Sequence, residues 1–168
     1  LIITLAVLVY KHDNTEFAQL TGYAFLDIVL NEKKRNLYKL MTQLDKVSGE
    51  HKVLIDLQLP VHNTTYPLDA MLIHESGIYI INSVKKTGWI LGNEEQAEWI
   101  EIKHKEKQEA FPNPTTVNKR IILALKDLLP EVNGDAYEAI SLFPHACSFQ
   151  TVEIHSPNTK VMKKNELK

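Results

Sequence analysis

Asp69 is the residue around which any hydrolytic chemistry in this chain would have to be organised. It lies in the run Pro67–Gly92, PLDAMLIHESGIYIINSVKKTGWILG, where Leu68–His74 and Ile78–Ser83 read as short buried strands joined by a Ser76-Gly77 turn. A carboxylate at the mouth of a strand can ligate a hard divalent cation. A bound cation can polarise a phosphoryl oxygen and activate a water. Such chemistry also needs a second acid and a lysine nearby, and the next strand ends instead in Asn82, Ser83 and Val84. These supply a neutral amide, a hydroxyl and a branched hydrocarbon. Asp69 equally suits a plainer task, because an aspartate beside a loop often accepts a local backbone hydrogen bond.

Few other residues could help. Glu75 shares a face with Asp69 but lies six strand residues on, roughly 20 Å away. Glu50 and Asp56 belong to another part of the topology. Lys85 and Lys86 precede Gly88 and read either as solvated turn residues or as phosphate contacts. Lys103, Lys105 and Lys107 alternate with His104 and Glu106 as an exposed strand edge, where lysines discourage sheet-to-sheet pairing. Trp89 and Trp99 read as packing anchors rather than base-stacking platforms. The seven histidines form no HxH or HxxxH pair, and the one cysteine, Cys147, allows no internal disulfide. No glycine-rich phosphate loop and no Ser/His/Asp arrangement stands out.

A chain of 168 residues, 44% apolar and 24% charged, is the size of one domain with a proper core. Its formal net charge of −2 argues against a dedicated high-affinity DNA binder, which carries a basic excess. A local basic cleft remains compatible with it. Leu1–Tyr10 is apolar apart from Thr4 and is followed by Lys11, His12 and Asp13. A bilayer-spanning helix needs about 20 apolar residues. Residues 1–12 are therefore expected to be either the end of a truncated transmembrane helix or a buried element. Lys33, Lys34 and Arg35 then favour the cytoplasmic side for the rest of the chain. Residues 13–21 read as a linker and 22–168 as the folded domain.

The elements that must position Asp69 emerge from periodicity. Ala24, Phe25, Ile28 and Val29, then Leu37, Leu40, Met41, Leu44 and Val47, recur at three- and four-residue steps. They predict one long N-terminal helix from about Gly22 to Val47, ended by Gly49. Val53, Ile55, Leu57 and Leu59 alternate with polar residues as one face of a strand that Pro60 stops, with a loop to Pro67. Gly88–Leu91 and Glu98–Lys103 flank an Asn93-Glu94-Glu95 turn. Thr115 or Thr116 caps a second helix carrying Val117, Ile121, Ala124, Leu125 and Leu128, which Pro130 ends. Ala139–Phe143 and Thr151–His155 are the last strands. The order predicts an α/β fold, a mixed sheet flanked by helices.

Several pieces taken in order resemble the nuclease-related domain family over about Thr21–Leu167. They are Gly22-Tyr23, Leu59-Pro60, Leu68-Asp69, Gly77-Ile78-Tyr79, Gly88-Trp89-Ile90, Gly92, Trp99, Phe111, Asn113-Pro114, Phe143 and Cys147. The resemblance implies a restriction-endonuclease-like fold and, often, an N-terminal membrane span. It also implies a glutamate early in the first helix, an aspartate opening the second strand, Glu-x-Lys in the third strand and a glutamine near the start of the second helix. Counting from the glycines and from Asn113-Pro114 places these on Phe25, Asp69, Asn82 with Val84, and Val117. Asp69 alone keeps the implied residue. Lys85 lies one residue past the lysine position, on the opposite strand face unless a bulge restores it.

These residues lead to a membrane-anchored nuclease-related domain that is catalytically degenerate and binds nucleic acid weakly or a protein partner. No cofactor is expected of it. An active nuclease with relocated catalytic residues would require Mg2+, held in part by Asp69. A purely structural interaction module is the third reading.

Overall fold

The structure is a computed structural model that describes residues 2–61, 64–104 and 107–167. Four helices come first: α1 (Ile2–Asp13), α2 (Glu16–Thr21), α3 (Phe25–Leu30) and α4 (Glu32–Leu44). The single long helix expected over Gly22–Val47 is thus two. Gly22 closes α2 at φ 68, a left-handed conformation that glycine adopts freely. Asn31 leaves the helical region at φ −110 and ψ 117, and its side chain accepts from the Lys34 amide at 3.1 Å. An asparagine that competes for backbone amides in this way stops one helix and caps the next. The apolar stripe runs on across the break, so periodicity does not register it.

Residues 13–21, expected as a linker, carry α2 and bury Phe17. In α1 the side chains of Ile3, Leu5, Val7, Leu8 and Tyr10 are exposed rather than buried. Its C-terminal end is pinned by His12, which is buried and bonds through Nε2 to the Tyr23 carbonyl at 2.8 Å. Among the described residues, no helix is long and apolar enough to cross a membrane.

The main sheet takes strands β1 (His51–Val61), β2 (Thr64–His74) and β3 (Gly77–Ser83) as an antiparallel meander. The chain then builds β4 (Trp89–Asn93), β5 (Glu98–Ile102) and β6 (Gln108–Pro112) before crossing through α5 (Pro114–Leu128). It returns as β7 (Tyr137–Phe143), parallel to β3, continues through β8 (Ser148–Glu153), and ends in β9 (Thr159–Lys163), parallel to β7. The main sheet is ordered β1-β2-β3-β7-β9 and the second β6-β5-β4-β8. The architecture is mixed α/β.

α4 covers one face of the main sheet, burying Leu37, Leu40, Met41 and Leu44 against Ala70, Leu72, Ile81 and Leu142. Each such side chain contributes about 1.5–3 kcal/mol. α5 covers the other face, with Ile121, Ile122 and Leu125 against Leu68, Met71 and Ile80. The cap of α5 is Asn113, not Thr115 or Thr116; its side chain accepts from the Thr115 amide, with Pro114 in the first turn. A third cluster joins the two sheets through Ile90, Trp99, Phe111, Phe143 and Cys147. Gly92 lies flat beneath the Trp99 ring there, and a Cβ on it would stand 2.2 Å from the indole. Trp99 is the anchor expected, whereas Trp89 is 57% exposed.

Three further expectations change. Pro60 does not stop β1, which runs to Val61 with Pro60 opposite Thr65; β1 lies at the sheet edge, where a missing amide costs little. Asp56 takes φ 52 and breaks the alternation of β1. Val53 and Ile55 face α4, while Leu57 and Leu59 face α5 instead of continuing the same row. β6 and β9 were not expected as strands, because their polar, half-exposed residues carry little period-two signal. Of the expected lysine edge, Lys105 and Glu106 lie outside the described residues, and Lys103 pairs with Glu101 and Glu109.

Candidate functional site

β3, β7 and β9 are neighbouring parallel strands that end level, with Ser83 opposite Leu142 and Phe143 opposite Lys163. The residues after each strand enter one open cleft of about 550 Å3: Val84, Lys85 and Thr87 after β3, Pro144 and His145 after β7, and Lys164 and Asn165 after β9. The opposite wall is a helical stripe of α4, made of Glu32, Asn36, Lys39 and Gln43. The carboxyl ends of parallel strands are where open α/β sheets usually hold ligands.

The cleft is basic although the chain is not. Lys39, Lys85 and Lys164 line it against one carboxylate, Glu32. Among the described residues none of these three lysines forms an ion pair. Lys86 is engaged elsewhere, bridging Glu101 at 3.2 Å and Glu109 at 2.9 Å. Burial pulls the Lys164 ammonium below the ordinary lysine range. The Asp69 and Glu32 carboxylates oppose the fall, and the charges of Lys39 and Lys85 add to it.

Asp69 and Asn82 meet at the mouth of the β2–β3 pair. The Asp69 amide donates to Asn82 Oδ1 at 2.9 Å, and Asp69 Oδ2 accepts from the Ser83 amide at 2.8 Å. The aspartate therefore ties two strands together rather than capping its own loop. Asn82 Nδ2 donates to Asn118 Oδ1 on α5 at 2.9 Å. Asn118, fully buried, donates in turn to the Ile140 carbonyl at 3.0 Å and to Ser141 Oγ at 3.3 Å. The result is a chain of amides running from β2 to β7 through the helix.

These donors do not fit a divalent cation. Among the described residues no three His, Cys, Asp or Glu side chains gather as a metal-holding group. Asn82 brings no charge, and its one oxygen already accepts a backbone hydrogen bond. One Asp69 oxygen is likewise engaged. A magnesium ion wants several hard, preferably charged oxygens in near-octahedral array.

The remaining expected positions disperse. Val84 lines the cleft and packs against the inter-sheet cluster. Lys85 lines the cleft and is exposed. Val117 packs into the α5-side core. Phe25 opens α3 with its ring centroid 6.0 Å from that of His12, in a separate pocket beside α1. Residues that sequence reasoning did not single out complete the picture: Glu32, Lys39, Asn118, His145 and Lys164. Only Glu32 carried a usable signal, an asparagine cap followed by an acid in the first turn.

The pattern described as a nuclease-related domain matches residues 31–148, more than half of the chain. The match opens at the Asn31 cap, so that Glu32 is the acid in the first turn of its first helix and Phe25 lies outside it. An uncharacterized protein of Bacillus anthracis is 29% identical over 108 residues, covering 63% of this chain and 49% of its own length. The chain thus spans about half the length of that curated relative.

Proposed function

The chain belongs to the nuclease-related domain family, with its restriction-endonuclease-like fold, and from that premise we propose that it is a catalytically degenerate member that binds nucleic acid through the basic cleft. The observation that carries this is the amide at Asn82, hydrogen-bonded at both ends where the family uses a carboxylate. Val84 withdraws the lysine that steadies developing negative charge, a contribution of about 3–4 kcal/mol in comparable sites. Asp69 remains in the place of the strand aspartate, and we take Glu32, in the first turn of α4, in place of Phe25 for the helix glutamate; among the described residues no group of three such side chains forms to hold a cation. Lys39, Lys85 and Lys164 remain available to phosphates.

Binding measured by fluorescence anisotropy with a labelled oligonucleotide in EDTA tests this. Three lysines on phosphates predict affinity that falls with salt at a log–log slope of roughly −2 to −3. Salt-insensitive or absent binding would point to a protein partner instead. Mg2+- or Mn2+-dependent cleavage that Asp69→Ala abolishes would sink the degenerate reading. The exposed apolar side chains of α1 support the second element, attachment of the N-terminal segment to a membrane, and the basic run of Lys33, Lys34 and Arg35 favours the cytoplasmic side for the domain. Flotation with liposomes, compared with protein lacking residues 1–10, tests that element separately.

A further inference from the structure

We infer, on the nucleic-acid-binding reading above, that Lys164 is the cation that contacts phosphate in this cleft, entering from β9 in the place that Val84 leaves without charge. Three observations converge on it. The first is position: β9 ends level with β7, which ends level with β3, so the residue after β9 reaches the same cleft as the residue after β3. The second is anchorage. Gln43 of α4 donates through Nε2 to the Lys164 carbonyl at 2.9 Å, and the Lys163 amide donates to Glu166 Oε2 at 2.7 Å. The backbone that carries this lysine is therefore held by the opposite wall of the cleft and by its own turn. The third is environment. Lys164 is half-buried, whereas Lys39 and Lys85 are exposed. A partly desolvated ammonium interacts more strongly with a phosphate than one surrounded by water.

The charged and titratable groups facing Lys164 are Glu32 and Lys39 on α4, Asp69 on β2, Lys85 after β3 and His145 after β7. With its proton held less tightly than usual, Lys164 loses its charge earlier than an ordinary lysine does as the pH rises. Its phosphate contact should then weaken on the alkaline side. An arginine at the same position stays charged and keeps the contact.

Binding of a fluorescent single-stranded oligonucleotide in EDTA, from about pH 7 to about pH 10, tests this on the wild type, K164A, K164R, K39A and K85A. K164A should weaken binding at pH 7 by about tenfold or more, the loss of one charge-assisted contact, and by more than K39A or K85A. K164R should bind as the wild type does at pH 7 and retain binding at the alkaline end, where the wild type loses it. Thermal melting establishes that each variant is folded; if K164A is not, the K164R comparison decides alone. If K164A costs no more than K85A, or K164R shows the same alkaline loss as the wild type, the role of Lys164 is overturned while the nucleic-acid-binding reading stands. If the wild type binds no oligonucleotide, both fall.

Discussion

Asn82 accepts from the Asp69 amide and donates to Asn118, both at 2.9 Å. Only a side chain with one acceptor and one donor satisfies both neighbours. Asn118 cannot turn its amide round to compensate, because its nitrogen is committed to Ile140 and Ser141. Asn82→Asp keeps the size and removes the donor, setting two oxygens against each other. It should destabilise the fold by about 1–3 kcal/mol at neutral pH, the cost of a buried group left unsatisfied, as read by urea unfolding.

Placing an acid and a lysine at the two positions where the family resemblance implies them tests the proposed degeneracy. Asn82→Glu combined with Val84→Lys should produce Mg2+-dependent nicking of supercoiled plasmid that neither single change produces. The catalytic groups act as a unit, so their effects do not add. No nicking from a folded double variant would mean that the surrounding geometry, and not the two side chains alone, has departed from a cleaving site.

Glu94 gives the fold an acid limit. Burial pushes its carboxyl up, but the Lys119 ammonium at 2.6 Å and the amides of Ser156 and His155, at 2.9 and 2.7 Å, together hold it down at about 2. A glutamate in the unfolded chain titrates near ~4.3. Its contribution is therefore complete above that value and is lost as the pH falls towards about 2. The urea midpoint should decline across that window in the wild type. Glu94→Gln should flatten the decline and lower the neutral-pH stability by about 1.5–3 kcal/mol.

Gly92→Ala should be among the most damaging single-methyl additions in the chain. The new carbon would meet the Trp99 ring, which is fully buried and also fixed by its indole hydrogen bond to the Asn93 carbonyl at 2.9 Å. Neither side can yield, and a loss of about 3 kcal/mol is expected, read as a fall in the thermal midpoint.

The strand pattern located Asp69, Asn82 and Val84 because β2 and β3 carry apolar runs joined by a tight turn, which fixes their register as Ala70 opposite Ile81. The inner faces of α4 and α5 were legible for a similar reason, since four or five large side chains repeat at helical spacing. Asn31 was not, because capping is a contest between a side chain and the backbone that an apolar stripe does not record. Asp56 was not, because a single positive φ moves every later residue of β1 to the other face without changing the alternation of letters. Asn118 was missed by one position. Successive helical residues point about 100° apart, so that one step separates Val117 in the core from Asn118 at the site. Lys39, Lys85 and Lys164 are far apart in sequence and meet because β3 and β9 stop at the same height opposite the Lys39 stripe of α4.

That common stopping height separates two demands on the molecule. Apart from Val84, the charged and polar residues of the cleft sit beyond the last paired position of a strand or on the outward side of α4, and they belong to none of the three apolar clusters. Exchanging them changes the charge of the cleft while leaving the interior untouched. The electrostatics of its walls can therefore drift independently of folding, whereas Asn82 and Val84 cannot, being tied to the buried Asn118 and to the inter-sheet cluster.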